Sequence, residues 1–200
     1  DEQKASFTII DRRVKVRKTL PTTLYDIDAF PFIENRSLNE AIPIVYGNWA
    51  SNASVPVDIK ARCINTSSQT FQIAGHKLHS VDRFLQNNAV LSRSHIENLN
   101  LTAATFNLSS ALNYDATTDV VSVNCKGIPT SNGTLIENPI DVVRNIYTAY
   151  MGLTTADLNL TAFGRGVTST SGDLVRRVID ESRSTESLLG DLFTEAGVDM

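Results

Sequence analysis

The sequence predicts an α+β fold that is mainly β, with an antiparallel β-rich first two-thirds and a helix-containing last third. Three observations support this prediction. Short apolar stretches alternate with polar residues up to residue 137. An Asn87-Asn88 pair between two apolar runs indicates a tight hairpin turn. A helical stripe of apolar residues begins only after Asn138.

Within the β-rich region, each strand is predicted from alternating apolar residues bounded by turn residues. Residues 1–20 alternate as a strand or hairpin. Residues 41–49 are predicted as a strand in which Pro43 marks a sheet edge or the start of the strand, because proline cannot donate a backbone hydrogen bond. The segment 78–91 is a β-hairpin, because two asparagines at its centre tolerate positive φ. Further strands are predicted over 55–64, 70–74, 99–108 and 119–126.

The C-terminal third begins with a helix whose start is marked by three residues. Asn138 suits the N-cap, Pro139 suits the first helical position, and Asp141 lies near the positive end of the helix dipole. Gly152 ends this helix. A short helix after Thr155, a flexible loop over 164–172, a strand over 174–179 and a last helix capped by Ser184 follow.

The change in character at Asn138 predicts a β-rich domain over 1–137 and an α+β segment over 138–200. Two hundred residues suit one large domain or two small ones. The chain begins at Asp1 rather than Met and ends shortly after a helix C-cap at Gly197. We therefore expect the second segment to begin a further domain of a longer parent chain.

Composition narrows the classes of function. The net charge of −4 does not indicate a nucleic-acid-binding protein, which would carry an excess of basic residues. No apolar run approaches the roughly 20 residues that a membrane span needs, so no span is expected. Cys63 and Cys125 lie in apolar, strand-like settings, which favours two free buried thiols over one disulfide.

Recognisable catalytic and metal-binding motifs are missing from the sequence. His76 and His79 lack a third ligand at a known spacing, and Gly-Arg-Gly at 164–166 lacks a preceding strand. We therefore predict a protein that is not an enzyme and has no cofactor or metal. Two pairs of acidic residues, Asp26 with Asp28 and Asp180 with Glu181, are predicted to be solvated surface residues. Tyr46 and Trp49 are predicted to pack in the core.

Asn-x-Ser/Thr triplets are unusually dense and allow two interpretations. In a secreted protein each triplet can carry a glycan, whereas in a protein made in a bacterial cytoplasm the same asparagines only form turns and strand edges. Several of them fall in predicted strands, which favours the second interpretation. The triplets begin at Asn35, Asn52, Asn65, Asn100, Asn107, Asn132 and Asn159.

A basic strip lies near the start of the chain and consists of Arg12, Arg13, Lys15, Arg17 and Lys18. It is either the solvated face of an edge strand, where such charges discourage aggregation, or a docking strip for an acidic partner or a polyanion. We treat it as a possible subunit interface. Its candidate acidic partner comprises Asp180, Glu181, Glu186, Asp191, Glu195 and Asp199.

Several ordered blocks resemble a family of tailed-bacteriophage tail and baseplate proteins. Residues 41–47 read Ala-Ile-Pro-Ile-Val-Tyr-Gly, and 79–84 read His-Ser-Val-Asp-Arg-Phe before the asparagine turn. Residues 120–127 form a third block, and the most specific block runs from Leu135-Ile-Glu-Asn-Pro to Tyr-Met-Gly-Leu153. A last block covers 179–197, so the resemblance spans about residues 40–200.

The resemblance implies a structural virion protein of the tail tip, hub-like or connecting the tube to the baseplate. Such proteins form oligomeric rings around the DNA channel, with β-rich domains side by side. The implied partners are other copies of the chain and neighbouring tail or baseplate proteins, with DNA passing at most transiently. The implied location is the virion tail, assembled in the cytoplasm of a bacterial host. The alternative is a secreted or cell-surface N-glycosylated β-rich adhesion module, with a Cys63–Cys125 bridge.

Overall fold

The computed structural model describes residues 17–50 and 58–195. Its main feature is an antiparallel sheet of seven strands that curls into half a barrel. The α-helices lie near the C-terminus, so the predicted α+β, mainly β class is confirmed. The strands are β1 (Thr19–Leu20), β2 (Ile44–Tyr46), β3 (Ile59–Asn65), β4 (Thr70–Gln72), β5 (Ser80–Gln86), β6 (Ala89–Val90), β7 (Ile96–Asn100), β8 (Thr105–Leu108), β9 (Val121–Lys126), β10 (Arg177–Ile179) and β11 (Arg183–Ser184). The α-helices are α1 (Pro139–Asn145), α2 (Leu160–Ser169) and α3 (Thr185–Glu195). Short 3-10 helices lie at Asn35–Ser37, Arg93–His95 and Thr155–Asp157. A π-helical segment lies at Ile146–Tyr150.

The seven strands run in the order β6-β5-β9-β3-β4-β8-β7. Side chains of a strand alternate between the two faces, and Ile59, Ala61 and Cys63 of β3 are buried on the same face. Phe71 and Phe106 are cross-strand partners whose rings stack with centroids 5.4 Å apart. These residues belong to the first hydrophobic core, which covers one face of the sheet.

A second hydrophobic core joins the β2–β10 ribbon to helices α1 and α3. Ile44 of β2 pairs with Ile179 of β10, and both side chains are buried. The predicted division at 137 and 138 stays a prediction, but this core takes residues from both sides of it. Its members are Leu20, Ile44, Tyr46, Ile128, Ile136, Val142, Val143, Ile146, Met151, Val175, Ile179, Leu188, Leu189 and Leu192.

Two glycines allow the chain segments to meet where the two cores join. The Gly127 amide donates to the Gly47 carbonyl at 2.9 Å. A Cβ on Gly127 would lie 2.2 Å from the Val45 carbonyl oxygen, and one on Gly47 would lie 2.1 Å from the Val175 carbonyl oxygen. Gly47 also has a φ of +80°, which L side chains rarely adopt. Side chains are therefore excluded from both positions by neighbouring backbone.

The predicted asparagine turn of the hairpin and the predicted start and end of the first helix are confirmed. Asn87 and Asn88 have φ values of 52° and 66°, and they connect β5 to β6 in antiparallel register. The Asn138 side chain accepts a hydrogen bond from the Ile140 amide, with Pro139 as the first residue of α1. The helical stretch continues as a π-helix to Tyr150 and stops before Gly152, whose φ is 72°.

The prediction of one strand over 99–108 is wrong, because the chain forms a hairpin there. β7 ends at Asn100, and its side-chain oxygen accepts hydrogen bonds from the Thr102 and Ala103 amides at 3.0 and 3.1 Å. Ala104 then adopts a φ of 53° before β8 begins. An asparagine side chain that imitates a backbone turn has therefore reversed the chain within an alternating pattern.

The prediction of a flexible loop over 164–172 is also wrong for its first part, because residues up to Ser169 belong to helix α2. The Asn159 side chain caps this helix by accepting from the Ala162 amide at 3.1 Å. Phe163 packs edge-on against Tyr147, with ring centroids 6.4 Å apart. Gly166 lies against Ile140 of α1, where a Cβ would come within 3.2 Å. Packing against α1 therefore outweighs the low helix propensity of glycine.

The remaining predicted elements are shorter than expected or lie partly outside the described residues. Of the predicted strand over 1–20, only Thr19 and Leu20 fall in a described strand. Residues 55–57 lie outside the described ranges, and β3 begins at Ile59. The strand over 174–179 is confined to β10, and Ser184 caps α3 through the Ser187 amide at 3.2 Å.

Among residues 17–50 and 58–195, none of the helices combines the length and the apolar character that crossing a bilayer requires.

Candidate subunit interface

Arg17 and Lys18 are the two residues of the basic strip that the structure describes, and both are exposed. Arg12, Arg13 and Lys15 lie outside the described residues. Lys18 is held at its backbone, since its carbonyl accepts from the Thr185 amide at 2.8 Å. β1, which follows directly, pairs with β11 in antiparallel register. The C-terminal end of the strip is therefore anchored at the start of α3.

The proposed acidic partner surface is only partly available. Asp191 accepts hydrogen bonds from Arg183 and Arg177, each at 2.7 Å. The hydrogen bond from Arg183 contributes most to holding the pKa of the Asp191 carboxyl below its ordinary value. Asp199 and the side chain of Glu195 lie outside the description. Asp191 is thus neutralised within the chain.

Glu186 borders a shallow pocket of about 320 Å³ together with Arg17 and Lys18 of the same chain. It therefore lies beside the anchored end of the strip. Asp180 and Glu181 lie elsewhere, between β10 and β11, and both are exposed. Among residues 17–50 and 58–195, no hydrogen bond or ion pair engages these two carboxylates, which leaves them to a neighbour.

Asp180 and Glu181 line a groove of about 400 Å³, which we call the acidic groove. Arg62 also lines it; its side chain is 11% exposed and its Nε lies 2.6 Å from Glu40 Oε2. Leu24, which is 41% exposed, adds an apolar side chain, and its backbone bridges to Ala41. The groove is lined by Leu24, Asn39, Glu40, Ala41, Arg62, Asp180, Glu181 and Ser182.

The loop that carries Leu24 also displays two further apolar side chains that are more exposed than Leu24. Ile27 is 53% exposed and Phe32 is 58% exposed. The loop is held from within, because Tyr25 is fully buried and its ring packs 5.6 Å from that of Phe30. Asp26, predicted as a solvated acid, is exposed and caps the turn by accepting from the Ala29 amide at 2.7 Å. The apolar surface is therefore presented on an ordered loop.

A buried carboxylate at Glu34 is the feature that the sequence did not reveal. Its side chain is 1% exposed. It accepts hydrogen bonds from Ser37 Oγ at 2.5 Å, Tyr114 Oη at 2.6 Å, Arg36 Nε at 3.0 Å and the Cys63 amide at 3.3 Å. Burial by itself would raise the pKa of Glu34, but the donors outweigh it and lower the pKa below its ordinary value.

This Glu34 cluster ties three distant segments together, at residues 34–37, at β3 and at 114–119. Arg36 also donates to the backbone carbonyl of Asp119. A pocket of about 460 Å³ lies beside Glu34 and Arg36. Since the acceptor atoms of Glu34 already have four donors, the cluster serves to hold the segments rather than to take up a proton. No sequence spacing would have indicated it.

The histidines do not meet. His76 Nε2 accepts from the Val45 amide at 2.8 Å, and its Nδ1 lies 2.9 Å from the Lys77 carbonyl. Burial lowers the pKa of His76, which matches a neutral ring bridging two backbone groups. The His79 ring lies with its Nδ1 3.4 Å from Ser80 Oγ. Within 17–50 and 58–195, no three His, Cys, Asp or Glu side chains lie together in a way that could hold a metal ion.

Cys63 and Cys125 are free and buried, as predicted. In the β3–β9 register Ala61 pairs with Val121, so the two cysteines are displaced by six residues along the strands. That displacement corresponds to about 20 Å, far beyond the roughly 7 Å limit between Cα atoms for a disulfide. Burial raises the pKa of each thiol to about 12.

Tyr46 and Trp49 are packed, in agreement with the predicted core role. Tyr46 is fully buried and donates from its hydroxyl to Asn145 Oδ1 at 2.7 Å. Trp49 is partly buried and donates from Nε1 to the Tyr46 carbonyl at 2.8 Å.

The triplet asparagines in the described residues form turns and caps; Asn52 lies outside them. Asn65 Oδ1 accepts from the amides of Ser67 and Ser68, and Asn100 and Asn159 do the same at their turn and helix cap. Asn107 differs, because its Nδ2 donates to the Ser68 carbonyl at 2.9 Å. A glycan on Asn107 would have to use the nitrogen of that bond.

Comparison with models of protein families, with curated proteins and with solved structures finds no match for this chain.

Proposed function

We propose that the chain is a non-enzymatic structural subunit of a phage tail tip or baseplate, which contacts other copies and neighbouring tail proteins around the tail channel. It would act in the virion tail after assembly in the bacterial cytoplasm, and DNA would pass it only transiently. No catalytic residue is assigned. The proposal rests on the resemblance of the sequence blocks, and the packing of these blocks supports it.

The supporting observation is that the blocks meet in one packed unit although they are far apart in sequence. The Gly47 amide, at the end of the first block, donates to the Ile136 carbonyl in the fourth block at 3.2 Å. Gly127, which ends the third block, donates to Gly47, and Ile179 of the last block pairs with Ile44. A recurring pattern of glycines and apolar residues is expected where such a unit must be built.

The proposal places the contacts between copies on side-chain surfaces rather than on sheet edges. β7, at one edge of the seven-stranded sheet, carries a bulge between Glu97 and Asn100, and Asn98 within it has a φ of 48°. Near the other edge, β5 has a bulge between Val81 and Arg83. Bulges and charged residues at an edge discourage pairing with another strand.

Native mass spectrometry combined with particle imaging tests the proposal. We expect closed oligomers of the unmodified chain, or copies bound in a virion, with an intact mass that does not change on glycosidase treatment. A glycosylated monomer would refute the proposal and support the adhesion module. That alternative already lacks its expected bridge, because the strand register keeps Cys63 and Cys125 apart.

A further inference from the structure

We propose that the acidic groove of one copy receives the basic strip of the next copy. This inference rests on the proposed function, because it assumes that copies of the chain assemble. It goes further by naming both halves of the contact. The cations are Arg12, Arg13 and Lys15, and their seat is the groove between Leu24 and the Asp180-Glu181 pair.

Charge complementarity and the mixture of apolar and charged side chains favour this occupant. The strip alternates, with Val14 and Val16 between basic residues. An extended segment places such valines on one face and the intervening basic residues on the other. The lining of the groove includes both an exposed apolar side chain, Leu24, and the carboxylates of Asp180 and Glu181.

The direction of β1 separates the strip from the groove of its own chain. Leu20 pairs with Arg183 and Thr19 pairs with Ser184, so the chain from Leu20 back to Arg17 runs towards α3. The groove lies the other way, at residues 180–182. Arg17 itself lies beside Glu186, on the α3 side of this pairing. Arg17, the first described residue, thus lies on the side of this pairing away from residues 180–182.

The length of the strip sets its reach beyond Arg17. The five residues before Arg17 span about 17 Å when extended. Arg17 and Lys18 stay with their own copy, where the Lys18 backbone is bonded to Thr185. A contact between two different surfaces of identical copies is heterologous, and it closes into a ring when the rotation between copies allows.

Three variants test the pairing by charge reversal. The strip variant carries Arg12→Glu, Arg13→Glu and Lys15→Glu, and the groove variant carries Asp180→Lys and Glu181→Lys. The third combines both sets. A matched control places Lys at two exposed acids outside the groove, Glu97→Lys and Asp173→Lys. Circular dichroism and thermal melting of each variant verify the fold before assembly is measured.

Assembly is measured by sedimentation and native mass spectrometry at about 50 mM salt, where charge pairs are weakly screened. We expect the strip and groove variants each to raise the dissociation constant between copies about tenfold or more, because attraction becomes repulsion. The combined variant should assemble again, and so should an equal mixture of the strip and groove variants. Only a contact between copies explains recovery in the mixture. The control variant should assemble as the unchanged chain does.

Normal assembly of the groove variant, or no recovery in the combined variant, overturns the inference while leaving the proposed subunit role intact. An unchanged chain that stays monomeric at every concentration counts instead against the subunit role. A labelled peptide of residues 11–18 then decides the inference on its own. Tenfold weaker binding of this peptide to the groove variant than to the control variant supports it, and equal binding to both overturns it.

Discussion

Replacing Glu34 by glutamine is expected to destabilise the fold more than any other single change of a charged side chain described above. Glu34 is the acceptor for Ser37, Tyr114, Arg36 and the Cys63 amide, and its side chain is 1% exposed. An amide group offers one oxygen and places two N–H donors where the carboxylate had a second oxygen. Donors would then face donors in a buried site.

The magnitude follows from the number and type of these bonds. A hydrogen bond to a charged group contributes about 1.5–3 kcal/mol, and breaking a buried pair costs about 3–5 kcal/mol because a partner is left uncompensated. Arg36 keeps a bond to the Asp119 carbonyl and is 27% exposed, which lowers the cost. We therefore expect Glu34→Gln to lose about 3 kcal/mol of unfolding free energy.

The loss should depend on pH with a defined sign. The pKa of Glu34 in the folded chain lies below its ordinary value of 4.5, because the donors outweigh burial. A lowered folded pKa gives stability that is present above the unfolded pKa and is lost as the pH falls through the folded pKa. The difference between the unchanged chain and Glu34→Gln should therefore be largest near pH 7 and shrink below about pH 4.

Urea denaturation at pH 7 and at pH 3.5 measures both effects, and thermal melting should show a fall of about 6–12 °C. Glu97→Gln is the matched control, since Glu97 is an exposed carboxylate on β7, and it should change the stability by less than about 0.5 kcal/mol. A loss below 1 kcal/mol for Glu34→Gln, or a loss that does not vary with pH, would refute the assigned role.

Three further changes test other parts of the fold. Gly127→Ala should lower the free energy of unfolding by about 3 kcal/mol or more in urea denaturation, because the new Cβ would meet backbone atoms. Gly172→Ala, where a Cβ would lie in open space, is the control and should be nearly neutral. Equal effects of the two changes would contradict the close approach at Gly127. A thiol reagent at pH 8 should leave Cys63 and Cys125 unmodified in the folded chain and label both in denaturant, and rapid labelling of the native chain would contradict their burial. Asn159→Ala should lower stability by about 1 kcal/mol in thermal melting if the side chain caps α2, and an unchanged melting temperature would restore the predicted loop.

Features encoded by a few adjacent residues could be predicted from the sequence. The hairpin follows from two asparagines that tolerate positive φ, and the start of α1 follows from a capping asparagine before a proline. Both depend on backbone conformations that neighbouring residues fix. Asn100 shows the limit of such reasoning, because its side chain makes a turn inside a pattern that otherwise alternates as one strand would.

Features that depend on partners far away in sequence could not be predicted. Helix α2 contains Gly164 and Gly166, which argue against a helix until the close approach to Ile140 is known. Glu34 acquires its partners from positions 80 residues away, at Tyr114, and 29 residues away, at the Cys63 amide. Of the candidate interface, the acidic residues were named from the sequence. Which of them are free was decided by packing, since two arginines neutralise Asp191.

The second hydrophobic core contains residues from both sides of the change of character at residue 138. The ribbon of β2 and β10 joins residues 44–46 to 177–179, and the pairing of β1 with β11 joins 19–20 to 183–184. Helices α1 and α3 bury their apolar faces against this early part of the chain. Leaving these apolar surfaces in water would forgo about 25 cal/mol for each Å² of apolar surface. The described end of the basic strip precedes Leu20, and Asp180 of the acidic groove follows Ile179. Both parts of the proposed contact therefore adjoin residues of this core.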